Sequence, residues 1–445
     1  MSTAQAVDLL ISARWVLPIA PAQRVLADHA VAVSEGRILA LGSTAELERR
    51  YVPRERIERL EHVLLPGLVN AHTRIGLTLL RARAAERPAW PLAVADAERP
   101  ARLLTADQVS AGARLAIAEM LRAGITSFAS EDAYPQEIAR IAAALRMRAA
   151  IGLPVSERSG GWAQGATAHL AQAARLWDEY RADPCVRLYF APESLEGLED
   201  ATLERVRTVA DELDARVAMP VHRSESAIAA SRARDGRRPL ERLQGLGLLR
   251  PGFTALHMNR LSDADLQLIA RTGIAVVACP QANLRRGFGG CPLPALLEAA
   301  VPVGLGTGSP TAVLALDMLA EARAALWQLA AGPAVAALPR AASALRLATL
   351  GSAQALGLAA EVGSIEAGKA ADLIAIDLRT LACSPEPDPI EATLLGVTRE
   401  RVSDVWIGGR AALAQGRLLA FDEEELLASV RDRAAPRPAI SGVGA

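Results

Sequence analysis

The sequence predicts an α/β protein: a (β/α)8 TIM barrel with a small β-sandwich domain built from both termini. Three observations predict it. Apolar runs suited to parallel strands recur through the middle of the chain, with helical patterns between most of them. Both ends carry short alternating strands and hairpin signals instead. The length, 445 residues, suffices for a full-sized barrel core and a second, smaller domain. The expected boundaries are 63–358 for the barrel and 1–62 with 359–445 for the composite sandwich.

In chain order, residues 8–60 read as short strands and turns. The clearest hairpin spans Ala30–Leu41 and turns at Ser34-Glu35-Gly36-Arg37. Leu64 to Val69 is an apolar run that reads as one buried strand, ending in polar residues through Arg74. The strand-like runs that follow are Ile125–Ser130, Ala149–Val155, Val186–Pro192, Arg216–His222, Phe253–Met258, Ala275–Pro280 and Val301–Thr307. With the first, they make the eight strands a closed parallel barrel needs. Thr105 and Gln108 have capping-box spacing ahead of an apolar stripe that runs to Leu121, and Gly124 ends it. Ser262 and Asp265 open a second helix, closed by Gly273. Asp200–Ala215 is a third, with Leu203, Val206, Val209, Ala210 and Leu213 on its apolar face. Ala334–Ala348 is alanine-rich and reads as helical. At the far end Ala371–Ile376 is strand-like, and Val402–Ala412 reads as a hairpin turning at Gly408-Gly409.

Composition removes several function classes. Lys+Arg 49 against Asp+Glu 50 leaves no basic or acidic excess that would mark a nucleic-acid or membrane-surface partner. Met1–Val7 lacks the basic region of a signal peptide. The uncharged stretch Ala299–Leu316 is broken by Pro302, Pro310 and three glycines, so it reads as strand and loop rather than a membrane span. Cys185, Cys279, Cys291 and Cys383 show no Cys-x-x-Cys spacing, and Cys279 and Cys291 read as ordinary apolar positions. A cytoplasmic protein is expected. His29, His62 and His169 carry no motif and read as surface residues.

The segment Pro66-Gly67-Leu68-Val69-Asn70-Ala71-His72-Thr73-Arg74 carries a resemblance. It resembles the first-strand signature of the amidohydrolase superfamily, in the branch of methylthioadenosine/S-adenosylhomocysteine deaminases and triazine hydrolases, where the last letters are His-x-His. The resemblance runs from about Asp8 to Leu418. Its specific stretches are Leu65–His72, Ala116–Ser127, Thr202–Leu213, Arg238–His257, Cys279–Leu284, and Arg346–Asp377 with Gly-Ser-Ile-Glu-Ala-Gly-Lys. It implies a metal-dependent hydrolase barrel holding one Zn or Fe ion. The implied ligands are both histidines of His-x-His, a fifth-strand histidine and an eighth-strand aspartate. A fifth-strand glutamate would move protons, and a sixth-strand histidine would orient the metal-bound water. It also implies a homodimer.

This sequence departs from that pattern. Residues two apart on a strand share a face, so Arg74 projects beside His72 where the second histidine is implied. A guanidinium is protonated at any working pH and offers a metal no lone pair. On the eighth strand Gly306-Thr307-Gly308 stands where the family has Gly-Thr-Asp, so Gly308 replaces ligand and base together. Glu193 stands where relatives have a substrate-contacting histidine. For the fifth strand two registers remain. Without gaps from Gly236-Arg237-Arg238-Pro239-Leu240, the preferred register, Pro220 takes the metal position and Arg223 the glutamate's. With a shortened loop, His222 and Glu225 take them. His257 on the sixth strand is retained in either.

Three functional expectations follow. The leading one is a catalytically degenerate amidohydrolase with no metal, in which Arg74, Glu193 and Arg223 meet a small-molecule ligand. The second is an active C–N hydrolase acting on adenosine, methylthioadenosine or S-adenosylhomocysteine, with a metal on His72, His222 and His257 and catalysis by Glu225 and His257. The third is a metal-free enzyme built around Arg74, Glu193 and His257. Arg74, as a cation in a partly buried mouth, is expected to need a carboxylate partner, Glu193 or Glu225. His72 and His257 each also read as hydrogen-bonded structural histidines.

Overall fold

The structure, a computed structural model, describes residues 5–81, 104–332 and 340–433. It contains two eight-stranded sheets. One is parallel throughout, in the order of the chain: β5 (Leu68–Thr73), β6 (Ile125–Glu131), β7 (Arg148–Val155), β8 (Val186–Pro192), β9 (Arg216–Val221), β10 (Phe253–His257), β11 (Ala275–Ala278) and β12 (Val303–Leu305). The circle closes where Thr73 bridges Gly308 in parallel. There the Gly308 amide donates to the His72 carbonyl at 2.9 Å. Asn70 ties the same seam from the inside: its Nδ2 donates to Thr307 Oγ1, and its Oδ1 accepts the Thr307 amide. Gly306 is required here, because a Cβ on it would lie 2.6 Å from the His72 main-chain N and O. This is the (β/α)8 barrel.

The second sheet is mixed and joins both ends of the chain. Its order is β16-β15-β14-β13-β4-β1-β2-β3, with β1 Gln5–Val16, β2 Leu26–Ser34, β3 Arg37–Ser43, β4 Tyr51–Pro66, β13 Leu373–Asp377, β14 Val402–Ile407, β15 Arg410–Ala414 and β16 Arg417–Leu418. The β2–β3 turn folds back onto β13, where the Ala371 amide donates to the Gly36 carbonyl and Arg37 bridges Ala370. Between the two layers lie Leu9, Ile11, Val31, Val33, Ile38, Leu373, Ala375 and Trp406, all buried. Alternation along each strand fills this small sandwich core.

The run read as one strand from Leu64 is two strands in two sheets. Leu64 to Pro66 pair with β13 in the sandwich, and β5 begins at Leu68. Gly67 is the seam. A Cβ there would fall 2.0 Å from Thr126 Oγ1, so only glycine lets the chain cross from one sheet to the other. The apolar pattern runs on across the seam because both strands are buried.

Local signals place the helices. Thr105 and Gln108 form the capping box of the helix Ala106–Arg122, and Ser262 with Asp265 forms that of Asp263–Thr272, which Gly273 ends in the left-handed conformation. Helix Asp200–Glu212 buries Leu203, Val206 and Ala210. Of the alanine-rich stretch, residues 334–339 lie outside the described residues; Arg340–Arg346 is helical. The uncharged stretch holds β12 and loop, and among the described residues no helix is long and apolar enough to cross a membrane.

Candidate functional site

The C-terminal ends of the barrel strands open into one cavity of about 170 Å³. Its floor is made by strand ends. His72 comes from β5 and His257 from β10, with ring centroids 5.6 Å apart at 85°. His257 and Met258 both have positive φ, 77° and 51°, as the chain leaves β10. Such backbone is costly for side-chain-bearing residues and is held only where surroundings over-determine it. A relay supplies the hold: Asn259 Nδ2 donates to the Arg223 carbonyl, Asn283 Nδ2 donates to Asn259 Oδ1, and Asn283 Oδ1 faces His257 Nδ1 at 2.9 Å. An oxygen facing Nδ1 puts the proton of a neutral ring on Nδ1 and leaves Nε2 as an acceptor.

Both rings are neutral. Burial, then the charges of Arg74 and Arg223, push His72 down to about 3. Burial, then His72 and Arg223, push His257 well below the ordinary range. Arg74, just past β5, and Arg223, just past β9, both line the cavity, and the charge of each lowers the pKa of the His72 ring. Arg74 Nε donates to the Glu131 main-chain carbonyl at 3.1 Å.

The fifth strand behaves differently from one of its two sequence registers. Pro220 and Arg223 line the cavity; His222 and Glu225 do not. Strict alternation would put Pro220 and His222 on one face, but β9 ends at Val221 and His222 has φ 49°. Left-handed backbone breaks the alternation and turns the ring outward. Its Nδ1 donates to the Arg260 carbonyl at 2.8 Å, and its Nε2 lies 3.9 Å from Asp265 Oδ1. The structure thus places His222 outside the cavity that holds His72 and His257, where it was expected to share a metal with them. Glu225, expected to be catalytic, also lies outside it: Ser224 caps the helix Glu225–Asp235, and the Glu225 side chain is 74% exposed beside Arg260. Nor is Glu225 a partner for Arg74.

Sequence reasoning missed two acids at the end of β6. The Glu131 carboxylate lies 3.8 Å from His72 Nδ1 and accepts from Tyr189 Oη at 3.4 Å. Asp132 is buried, accepting from the Gly76 amide at 2.9 Å and from Ser130 Oγ at 2.5 Å. Burial pushes its carboxyl up to about 6, against the lowering pull of Ser130, Arg74 and Gly76. The signal was available: Glu131-Asp132 directly follow an apolar run at the end of a barrel strand, where sites form. Glu193, past β8, lines the cavity and accepts from Ser156 Oγ. His169, expected on the surface, is buried and lines the cavity; Nδ1 donates to the Pro154 carbonyl, and the ring packs edge-on against Trp162. His62 is likewise buried, and His29 is half-buried.

The donor set does not fit the metal that the resemblance implies. Where the resemblance would put its ligands, in the register whose residues line the cavity, stand His72, Arg74, Pro220 and Gly308. Zinc takes about four N, O or S donors, and two of these residues carry no donor while a third is a permanent cation. Gly308 has φ 67°, and a Cβ there would press on Ala282 at 3.2 Å. Among the described residues no group of three or more His, Cys, Asp or Glu is arranged to hold a metal.

Comparison with known proteins agrees on ancestry. The amidohydrolase family model matches residues 63–412, and an imidazolonepropionase-like composite domain of bacteria matches residues 30–51. A 5-methylthioadenosine/S-adenosylhomocysteine deaminase of Teredinibacter turnerae is 35% identical over 96% of this chain and 97% of its own length. An adenosine deaminase from Xanthomonas campestris, solved with bound zinc, is 38% identical, with a TM-score of 0.92 over 97% of this chain and 98% of that one. An atrazine chlorohydrolase from Arthrobacter aurescens, solved with zinc, shares the fold at 22% identity and a TM-score of 0.85 over 96% of this chain and 100% of its own. With its closed parallel barrel, its composite sandwich and these full-length likenesses, this chain belongs to the amidohydrolase family.

Proposed function

We propose that this protein uses the amidohydrolase barrel as a small-molecule binding site and does not carry out metal-dependent deamination. One observation carries the reading: Arg74, Pro220, Arg223 and Gly308 line the cavity around His72, in the places where the resemblance would put ligands and the proton-moving glutamate, and both guanidiniums lower the pKa of the His72 ring. A divalent cation would be placed against two fixed positive charges with too few donors to offset them. Deamination by the family's route needs a hydroxide made available near neutral pH and a group to move its proton. Gly308 offers no base, and Arg223 stands at the glutamate's position in the register whose residues line the cavity.

A second reading, a metal-free enzyme, draws on Asp132 rather than on the set expected from the sequence. Its carboxyl titrates near 6 inside the cavity, close to the pH where a general acid or base works best.

The test uses the purified full chain. Zinc and iron are measured after dialysis, and ammonia release is followed with adenosine, methylthioadenosine and S-adenosylhomocysteine. The expected result is well under about 0.1 metal per chain, with no turnover above background. About one tightly held metal per chain, with turnover on the order of one per second as is ordinary for enzymes, would overturn the proposal.

A further inference from the structure

We infer that the cavity takes a small organic carboxylate, its anionic head between Arg74 and Arg223 above His72 and its apolar body toward Trp162 and Phe288. This rests on the proposed metal-free reading of the same site and goes further by naming the ligand's chemistry.

Three observations support it. The first is charge. Among the described residues, four arginines (Arg74, Arg158, Arg223, Arg286) line the cavity against three carboxylates (Glu131, Asp132, Glu193). Ser156 already donates to Glu193. The balance favours an anion, and guanidinium geometry favours a planar two-oxygen one.

The second is an unsatisfied buried ring nitrogen. His72 Nδ1 has no hydrogen-bond partner within the protein, although its side chain is only 5% exposed and lines the cavity. Glu131 Oε1, at 3.8 Å, is beyond hydrogen-bond range. A buried polar atom left this way is uncommon and costly. A neutral imidazole carrying its proton on Nδ1 would satisfy it by donating to a carboxylate oxygen.

The third is polarity. The lining also carries apolar groups, Leu77, Pro154, Trp162 and Phe288. A ligand with one charged end and one apolar end matches both kinds of group, whereas inorganic phosphate matches only the charged ones.

Titration calorimetry on the full chain tests the inference with phenylacetate, its neutral analogue phenylacetamide, and inorganic phosphate. Phenylacetate should bind, phenylacetamide should bind at least about tenfold more weakly, and phosphate should not compete. That ratio is what one hydrogen bond between charged partners supplies. Arg223→Met should weaken phenylacetate binding by about tenfold or more, and Arg223→Lys by less; far-ultraviolet circular dichroism checks that both fold. Equal binding of the acid and the amide, binding of phosphate alone, or no binding of phenylacetate would each overturn the inference. The metal analysis of the same preparation separates the two failures. A metal-free chain that ignores phenylacetate defeats only the ligand assignment, whereas a chain holding stoichiometric zinc defeats the reading beneath it.

Discussion

Replacing Arg74 by Met tests whether a fixed cation stabilises the barrel mouth. Its half-buried side chain reaches the Glu131 carbonyl through Nε, and its charge favours the ionised form of Asp132. Losing a hydrogen bond from a charged donor costs roughly 1.5–3 kcal/mol. Asp132 adds a pH-dependent part. Its folded pKa, about 6, lies above the ordinary 3.8, so the native state holds an extra proton between those values. Stability from this group is therefore full below 3.8 and is lost as pH rises through 6. Removing Arg74 raises that carboxyl further, and each added unit costs about 1.4 kcal/mol at a pH well above it. The charged groups bearing on Asp132 are few: Arg74 lowers its pKa, as do the uncharged donors Ser130 Oγ and the Gly76 amide. Together these give a loss of about 2–4 kcal/mol at pH 7.5, shrinking to the hydrogen-bond part, about 1.5–3 kcal/mol, at pH 5. Urea unfolding of wild type and Arg74→Met at both pH values measures it. A loss within error of zero at pH 7.5 would put Arg74 in solvent. A loss equal at the two pH values would mean that Asp132 does not sense it.

Two further predictions concern the frame around the cavity. Gly306→Ala should cost about 3 kcal/mol in thermal unfolding, because the added methyl meets the rigid main chain of His72 at 2.6 Å rather than a movable side chain; a change under about 0.5 kcal/mol would show that the β5–β12 seam gives way easily. Glu321 is fully buried, accepts from the Gln281 amide and side chain, and is pushed up to about 8 by burial. Its native carboxyl keeps a proton that the unfolded chain loses above 4.5, so its contribution is full below 4.5 and fades as pH rises through 8. Glu321→Gln should then flatten the alkaline side of the stability profile by up to about 4 kcal/mol between pH 5 and pH 9; profiles that superimpose would show Glu321 to be ionised in the native state.

The sequence by itself determined the architecture and the identities at the first- and eighth-strand positions. Eight apolar runs separated by capped helices can bury themselves only against one another, and hairpin signals at both ends imply a second sheet. Period-two alternation put Arg74 on the face of His72, and the resemblance to the family marked that place as a second histidine's. Side-chain direction beyond the last strand residue was left to the tertiary structure. At His222 a positive φ, held by the Arg260 carbonyl, cancels the alternation and turns the ring from the cavity toward Asp265. At Gly67 an unbroken apolar pattern hides a change of sheet, because only the distance to Thr126 shows that a side chain cannot pass. Glu131 and Asp132 become site residues only when β6 lies beside β5, and His169 only when its helix packs under Trp162. Hydrophobic pattern is a local property, and so it writes strands and helices into the chain. The aim of a side chain at a strand end depends on backbone angles set by contacts far along the sequence, and so the cavity's chemistry was settled only in three dimensions.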